Sequence, residues 1–554
     1  MSTLLHDLRF SLRLLAKSRG FTAAAIAVLA LGIGVNTAIF SVARDLLFSP
    51  RPFPHPEQVL QLYTQDKKEP KRFRQFSYST YVELRDQNTV FSDVLAHNMT
   101  MIGIGEGEVS RRTFAAIVSS NYFSTLQVPL ARGRTFLPEE ERPGAAAPVV
   151  IASHVYWRKT GYDPALVGKT IRVNERLFTV VGIAPEHFTG TMMLFGPELY
   201  FPLSNYDALT NSFNSDSKRS LERRDAHELF LVGRLKPGVS PETADAALKS
   251  LGSAFETAYP VEHRDQTFIA RALPRLSTSS APADESDLGM FGTLLIGMAG
   301  LVLLIACLNL ANMLLARGAA RRKEISIRLA LGGGRGRIVR QLLTEGLVLS
   351  IAGGLFGLLL ASWVTALLGE SLAARMPLAM SLRGATDPSV FGVTLGFCAF
   401  ATLGFALGPA LKLARTDVLT DLKGNAGEDS APPRARWMPR NPLVVAQVAL
   451  SLGLLTAAGL FIRGAREAGN VETGFKADDT ILIEVDASLG GYDRTRSLQL
   501  YQAANNRLAS LPGVQSASIG AIAPFGFITI NRPVQRAGVI AAPDTKPATA
   551  AEGL

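Results

Sequence analysis

The residues whose spacing comes nearest to a catalytic motif are Gly168, Lys169 and Thr170, which match the end of a phosphate-binding loop. In such a loop backbone N–H groups cradle phosphates and the lysine reaches them. The motif needs a further glycine five positions before Gly168, where this chain has Asp163, a negative charge in the place a phosphate would take. Nucleotide binding at this segment is therefore rejected. His97, His154, His187, His227 and His263 are scattered, with no H-E-x-x-H pair and no cysteine partner, and no G-x-S-x-G run supplies a nucleophile. Cys307 and Cys398, the only cysteines, fall in apolar stretches and read as small buried residues. No catalytic residue, metal site or cofactor of the chain's own is expected.

The chemistry that does stand out is charge. Between Arg317 and Arg340 eight Lys/Arg face a single acid, Glu324. Ile325, Leu329 and Leu331 fall near one face of a short helix, Arg321, Glu324 and Arg328 lie about one turn apart, and Gly332 to Gly334 break the helix. A short helix with an apolar side and a charged side can dock a soluble partner on a membrane; the plainer reading is a solvated basic loop that only sets topology.

The elements that hold this segment are apolar. Of 554 residues, 47 % are hydrophobic and 19 % charged, with the apolar residues in blocks, as in a membrane protein. Uncharged runs cover 21–43, 289–316, 346–369, 388–411 and 442–462, five expected spans. Basic residues crowd the connectors 317–345 and 412–441, whereas 370–387 carries only Arg375 and Arg383. By the positive-inside rule the N-terminus, the 317–345 segment and the 412–441 linker lie in the cytoplasm. The net charge of +10 is explained by these loops, so no nucleic-acid partner is expected. Membrane lipid is the expected surrounding, and residues 1–20 read as an interfacial amphipathic helix with Leu4, Leu5, Leu8, Leu12 and Leu15 on one face. In the third span, Gly353 and Gly357 make a Gly-x-x-x-Gly helix-packing face; Asn309 and Asn312 in the second are placed to hydrogen-bond across helices.

Residues 48–287 read as an extracytoplasmic α/β (α+β) domain. Expected strands are Val59–Tyr63, Val149–Ala152, Ile171–Val173 paired across Asn174-Glu175 with Phe178–Val181, Leu229–Leu235 and Thr267–Ala270. Ser240 and Pro241 open a helix that buries Ala244, Ala247, Leu248 and Leu251. After the fifth span, 463–554 repeats the opening of the first half at an offset of about 420 residues, with a strand at Ile481–Val485 and a helix at Arg494–Ser510. This is an internal duplication, and 463–554 is the start of a second, partial extracytoplasmic domain.

The run Lys323, Glu324, Ile325, Ile327, Arg328, Ala330, Leu331, Gly332 resembles the coupling segment of the MacB/FtsX-like ABC transporter permeases, and Phe21 to Tyr63 resembles the opening of the duplicated orphan permeases of that superfamily. The resemblance implies a bacterial inner-membrane permease whose coupling residues touch a separate ABC ATPase subunit, which binds the ATP. It implies relay of ATPase closure to the outer domain, for efflux or export of macrolide, lipoprotein or peptide-like substrates. A periplasmic adaptor and a homo- or heterodimeric permease partner follow from the same resemblance. The alternative it leaves open is a non-transport scaffold that regulates an extracytoplasmic partner such as a cell-wall hydrolase.

Overall fold

The computed structural model describes residues 2–549 apart from 49, 107–108, 194, 210–219, 276–278, 283–285, 321–326, 328–333, 376–378, 381–387, 415–441, 470–478, 521–532 and 535–547. Helix α1 (Ser2–Lys17) breaks at Ser18 and gives way at once to α2 (Arg19–Ala43). Chain then passes into a mixed α/β unit before returning to long apolar helices.

The unit is built on one twisted sheet. Its longer strands are β1 (Val59–Asp66), β2 (Phe91–Glu106), β3 (Val109–Val118), β4 (Val149–Ala152), β5 (Thr170–Val173), β6 (Arg176–Ile183), β7 (Leu199–Pro202), β8 (Phe230–Leu235) and β9 (Gln266–Ala272). They run in the order β9-β1-β8-β2-β3-β7-β4-β6, with β5 bridging β6 and β2. β8 and β9 flank β1 and are both antiparallel to it, so they run parallel to each other. The helix between them, α4 (Pro241–Ala258), crosses from one to the other as a split βαβ unit. Ser240 caps it by accepting from the Thr243 N–H, and Ala244, Leu248 and Phe255 are buried beneath it. The earlier α3 (Tyr78–Gln87) is capped in the same way by Ser77.

Strand periodicity divides the core. Val94, Ile117, Phe201 and Leu231 join one cluster with Tyr81, Leu248 and Phe268, whereas Leu95, Val118, Tyr200 and Val232 join a second with Phe123 and Phe188. Neighbouring residues on each strand thus feed opposite faces, and both faces of the sheet are covered. At the β5–β6 hairpin Asn174 and Glu175 hold φ of 47° and 61°, the two positive values a tight two-residue turn requires.

The remaining long helices are α5 (Ser286–Ala320), α6 (Arg335–Arg375), α7 (Pro388–Thr402, carried on through Ala414) and α8 (Pro442–Gly469). With α2 they are the five described helices long and apolar enough to cross a membrane. Leu29, Ile33, Leu303, Leu310, Leu349, Cys398 and Phe405 form a core among α2, α5, α6 and α7. Helix α8 leaves Val448, Leu452 and Leu455 exposed. Beyond it, α9 (Arg494–Ala509) takes the expected helix position, but Ile481–Val485 forms no strand and is largely exposed, Ile481 by 87 %. Alternating apolar residues make a strand only when an edge is there to receive them. Glu484 instead meets the main unit through an ion pair with Arg112 at 2.6 Å.

Candidate functional site

Of the coupling-segment residues, Lys323, Glu324, Ile325, Arg328, Ala330, Leu331 and Gly332 lie outside the described residues; Ile327 is described and is 46 % exposed. The stems on either side are helical. Helix α5 leaves the α/β unit at Ser286 and ends at Ala320, 35 residues later. At 1.5 Å per residue that is about 50 Å, so the Ala320 end of α5 lies at the far end of the bundle from the sheet.

That same end holds α1. Arg317, near the end of α5, donates from Nη2 to Ser18 Oγ at 2.6 Å and to the Leu14 carbonyl at 3.4 Å, and its guanidinium sits 4.5 Å from the Phe21 ring centre. Arg340, in the second turn of α6, donates from Nε to Asp7 Oδ2 at 2.7 Å. The sequence pattern pointed to the leucines of α1 and missed Asp7. Its signal was being the one acid in a helix whose other charges are Arg9, Arg13 and Lys17.

The bundle is closed by small residues and short polar bridges. A methyl group at Gly353 would lie 2.5 Å from Leu29 Cβ; one at Gly357 would lie 3.0 Å from Gly34 N and 3.1 Å from the Ala30 carbonyl oxygen. Helix α6 therefore meets α2 backbone to backbone. Thr402 Oγ1 donates to Ser350 Oγ at 2.9 Å, and the Thr37 and Thr394 hydroxyls are 3.3 Å apart. Asn312 donates to Gln447 Oε1 at 2.8 Å, and Gln447 donates in turn to Asn309 Oδ1, so both asparagines bond across helices to α8. A lone Gln447 in an uncharged span was the unread half of that signal. Asn36, by contrast, donates to the Gly32 carbonyl of its own helix at 2.7 Å. Beside it an apolar recess of about 570 Å³ opens between α2, α5 and α7, lined by Phe40, Leu304, Phe397 and Phe400 among others.

In the α/β unit the rejected phosphate motif is a turn: Gly168 has φ 94°, and Lys169 pairs with Asp163. Of the histidines, His227 and His263 lie near each other and near Arg74. His97 is buried and stacked on Phe230 at 5.5 Å, which pushes its basicity down to about 4; His263 contacts Thr80 at 3.3 Å. Among the described residues no three His, Cys, Asp or Glu side chains gather as a metal site. Glu198, 2 % exposed, receives Arg111 at 2.9 and 2.7 Å and Lys159 at 2.6 Å. Burial raises its pKa, but the two cations outweigh that and hold it below the ordinary value. This is a structural knot joining β3, β7 and the helical turn His154–Lys159.

A five-helix bundle with a large α/β unit between its first and second spans is a multi-pass membrane protein. Residues 22–251 match the family described as MacB-like periplasmic core domain, and residues 296–418 the FtsX-like permease C-terminal family. The chain belongs to the MacB/FtsX-like ABC transporter permeases. It is 24 % identical over 330 residues to a pyoverdine export ATP-binding/permease protein of Pseudomonas syringae pv. tomato, covering 59 % of this chain and 45 % of the relative. A macrolide export ATP-binding/permease protein MacB of Neisseria meningitidis is 27 % identical over 289 residues, covering 50 % and 40 %. An uncharacterized ABC transporter permease, YknZ of Bacillus subtilis, is 24 % identical over 308 residues, covering 55 % and 68 %. The chain thus spans less than half the length of the first two relatives. Among solved structures it is similar to the periplasmic region of MacB from Actinobacillus actinomycetemcomitans, with 15 % identity, TM-score 0.30, and coverage of 41 % of this chain and 93 % of that one.

Proposed function

We propose that this chain is the permease subunit of an ABC-type export machine in the bacterial inner membrane, driven by an ATPase carried on a separate subunit. The ATPase docks on the segment 321–333, with Glu324 and Arg328 as its polar contacts and Ala330, Leu331 and Gly332 packed toward the bilayer. ATP is bound by that subunit and not by this chain. The N-terminus, α1 and the docking segment lie in the cytoplasm, and the sheet lies in the periplasm.

The single observation that supports this reading best is that α5 and α6, the helices flanking the basic segment in sequence, turn their Ala320 and Arg335 ends away from the large α/β unit. Basic residues favour the cytoplasmic side of a membrane. Helices α2 and α6 meet by backbone contact, which suits transmission of movement. The export relatives support an outward direction of transport; their substrates are their own. The test is co-purification from membranes. Charge reversal at both Glu324 and Arg328 is expected to release the ATPase, and undiminished recovery of the ATPase with that variant refutes the docking role.

A further inference from the structure

The N-terminal helix is joined to both stems of the docking segment, and it is joined at opposite ends. Asp7, near its start, accepts from Arg340 on α6; Ser18 and Leu14, at its end, accept from Arg317 on α5. Eleven residues separate Asp7 from Ser18, about 16 Å along a helix. The span of α1 thus bridges the two points where the chain enters and leaves 321–333.

The orientation of α1 is not the one its leucines alone would choose. Asp7, Ser11 and Leu15, spaced four apart, are buried against the bundle, whereas Leu8 and Leu12 are 39 % and 51 % exposed. A carboxylate turned inward costs desolvation unless a cation meets it, and Arg340 does so at 2.7 Å. The outward leucines, flanked by exposed Arg9 and Arg13, suit the boundary of a lipid leaflet. At the other end Arg317 supplies a cation to the last carbonyls of α1, where the helix dipole is negative.

We propose that α1 is a strap that fixes the two stems of the docking segment relative to each other, with Asp7 and Ser18 as positioning residues. This rests on the reading of 321–333 as the ATPase contact. Because α1 runs directly into α2, and α2 meets α6 backbone to backbone, a push on the segment is carried by α2, α5 and α6 together. Separating the stems strains the Asp7–Arg340 pair and the Arg317 set together with the α2 core that both stems share.

The test is trypsin cleavage of the full chain in lipid nanodiscs, which leave both membrane faces open to the protease, with no ATPase present. Arg321, Arg322, Lys323 and Arg328 supply sites within the segment, and cleavage there is read as a ratio to cleavage in the α/β unit, which cancels any general loss of folding. Asp7→Asn is expected to raise that ratio about tenfold, the scale of one charge-assisted hydrogen bond. Asp7→Arg is expected to do the same, and Asp7→Arg combined with Arg340→Asp to restore protection to within about twofold of the native chain, since the pair is merely reversed. An unchanged ratio in both single variants overturns the strap, as does a double variant no better protected than Asp7→Arg alone. Failure of the docking reading is separable: there the native chain recovers no ATPase from membranes, whatever the cleavage ratios.

Discussion

Replacing Gly357 by alanine tests whether α2 and α6 are held at backbone distance. The new Cβ would lie 3.0 Å from Gly34 N, 3.1 Å from the Ala30 oxygen and 3.3 Å from Gly34 Cα. All three are main-chain atoms, which no rotamer change can move aside. Ordinary non-bonded separations are about 3.5–4.0 Å, so the helices must part by about half an ångström, and a gap of that size forfeits roughly a quarter of each dispersion contact along the seam. Overpacking of this kind costs about 1–3 kcal/mol. Set against it is the helix propensity gained from glycine to alanine, up to about 1 kcal/mol. Gly396 on α7 isolates that gain, because nothing lies within 4 Å of a Cβ built there. Gly396→Ala is therefore expected to be neutral or stabilising and Gly357→Ala to be about 1–3 kcal/mol less stable than Gly396→Ala. The assay is reversible unfolding of the purified chain in mixed micelles, followed by the fluorescence of Trp363, six residues along α6, with Trp157 and Trp437 replaced by phenylalanine. Gly357→Ala at or above the stability of Gly396→Ala would refute the close seam.

Three further outcomes follow from particular contacts. Glu198→Gln is expected to lower stability by about 1–3 kcal/mol, because two cations lose a buried carboxylate; an unaltered thermal midpoint would dismiss the knot as decoration. Acid should destabilise the α/β unit through His97, held at about 4 against an ordinary 6.5 by burial. Its folded pKa is depressed, so stability is full above pH 6.5, falls as the unfolded chain alone takes up the proton, and levels off below about 4; at pH 5 the loss is about 2 kcal/mol. His227 and His263, lowered first by burial and then by Arg74, titrate in the same direction, and a flat unfolding midpoint between pH 7 and pH 5 would contradict all three. Finally, Asn309→Cys with Gln447→Cys should be joined by a short thiol-reactive cross-linker, since the native side chains are in hydrogen-bond contact; no cross-link would mean that α8 does not dock on α5.

How much of this was legible in the sequence depended on whether one residue's neighbours in the chain were also its neighbours in space. The spans were plain because the absence of charge is a local property, and so were the Ser240 cap and the Asn174 turn, each settled within a few residues. The long β2–β3 hairpin was not read. His97, Asn98 and Thr100 interrupt its apolar pattern, yet all three are buried: His97 stacks on Phe230, Asn98 donates to the Glu228 carbonyl at 2.7 Å and Thr100 to the Leu209 carbonyl at 3.1 Å. A strand covered on both faces can hide polar residues wherever a distant partner satisfies them. The converse error was Ile481–Val485, apolar enough for a strand but paired to none. In the candidate site the basic segment was visible as composition, whereas Asp7–Arg340 joins residues 333 positions apart and leaves no periodic trace.

The two ends of the bundle are tied into the chain in different ways, and the difference bears on how movement would pass through it. At the α1 end the ties are ion pairs and capping bonds to Arg317 and Arg340. At the other end the connector after α6 pairs Ala379 and Met380 with Phe195 and Gly196 of the α/β unit, and Arg51, just past α2, donates to the Thr191 and Leu273 carbonyls. Helix α6 therefore touches the strap at one end and leads into the sheet unit at the other, with α2 locked along its length between them. The chain that leaves α6 thus meets the α/β unit at Phe195 and Gly196, and Arg51, which follows α2, meets it at Thr191 and Leu273, so this neighbourhood is where a coupled machine of this build should first register the stroke.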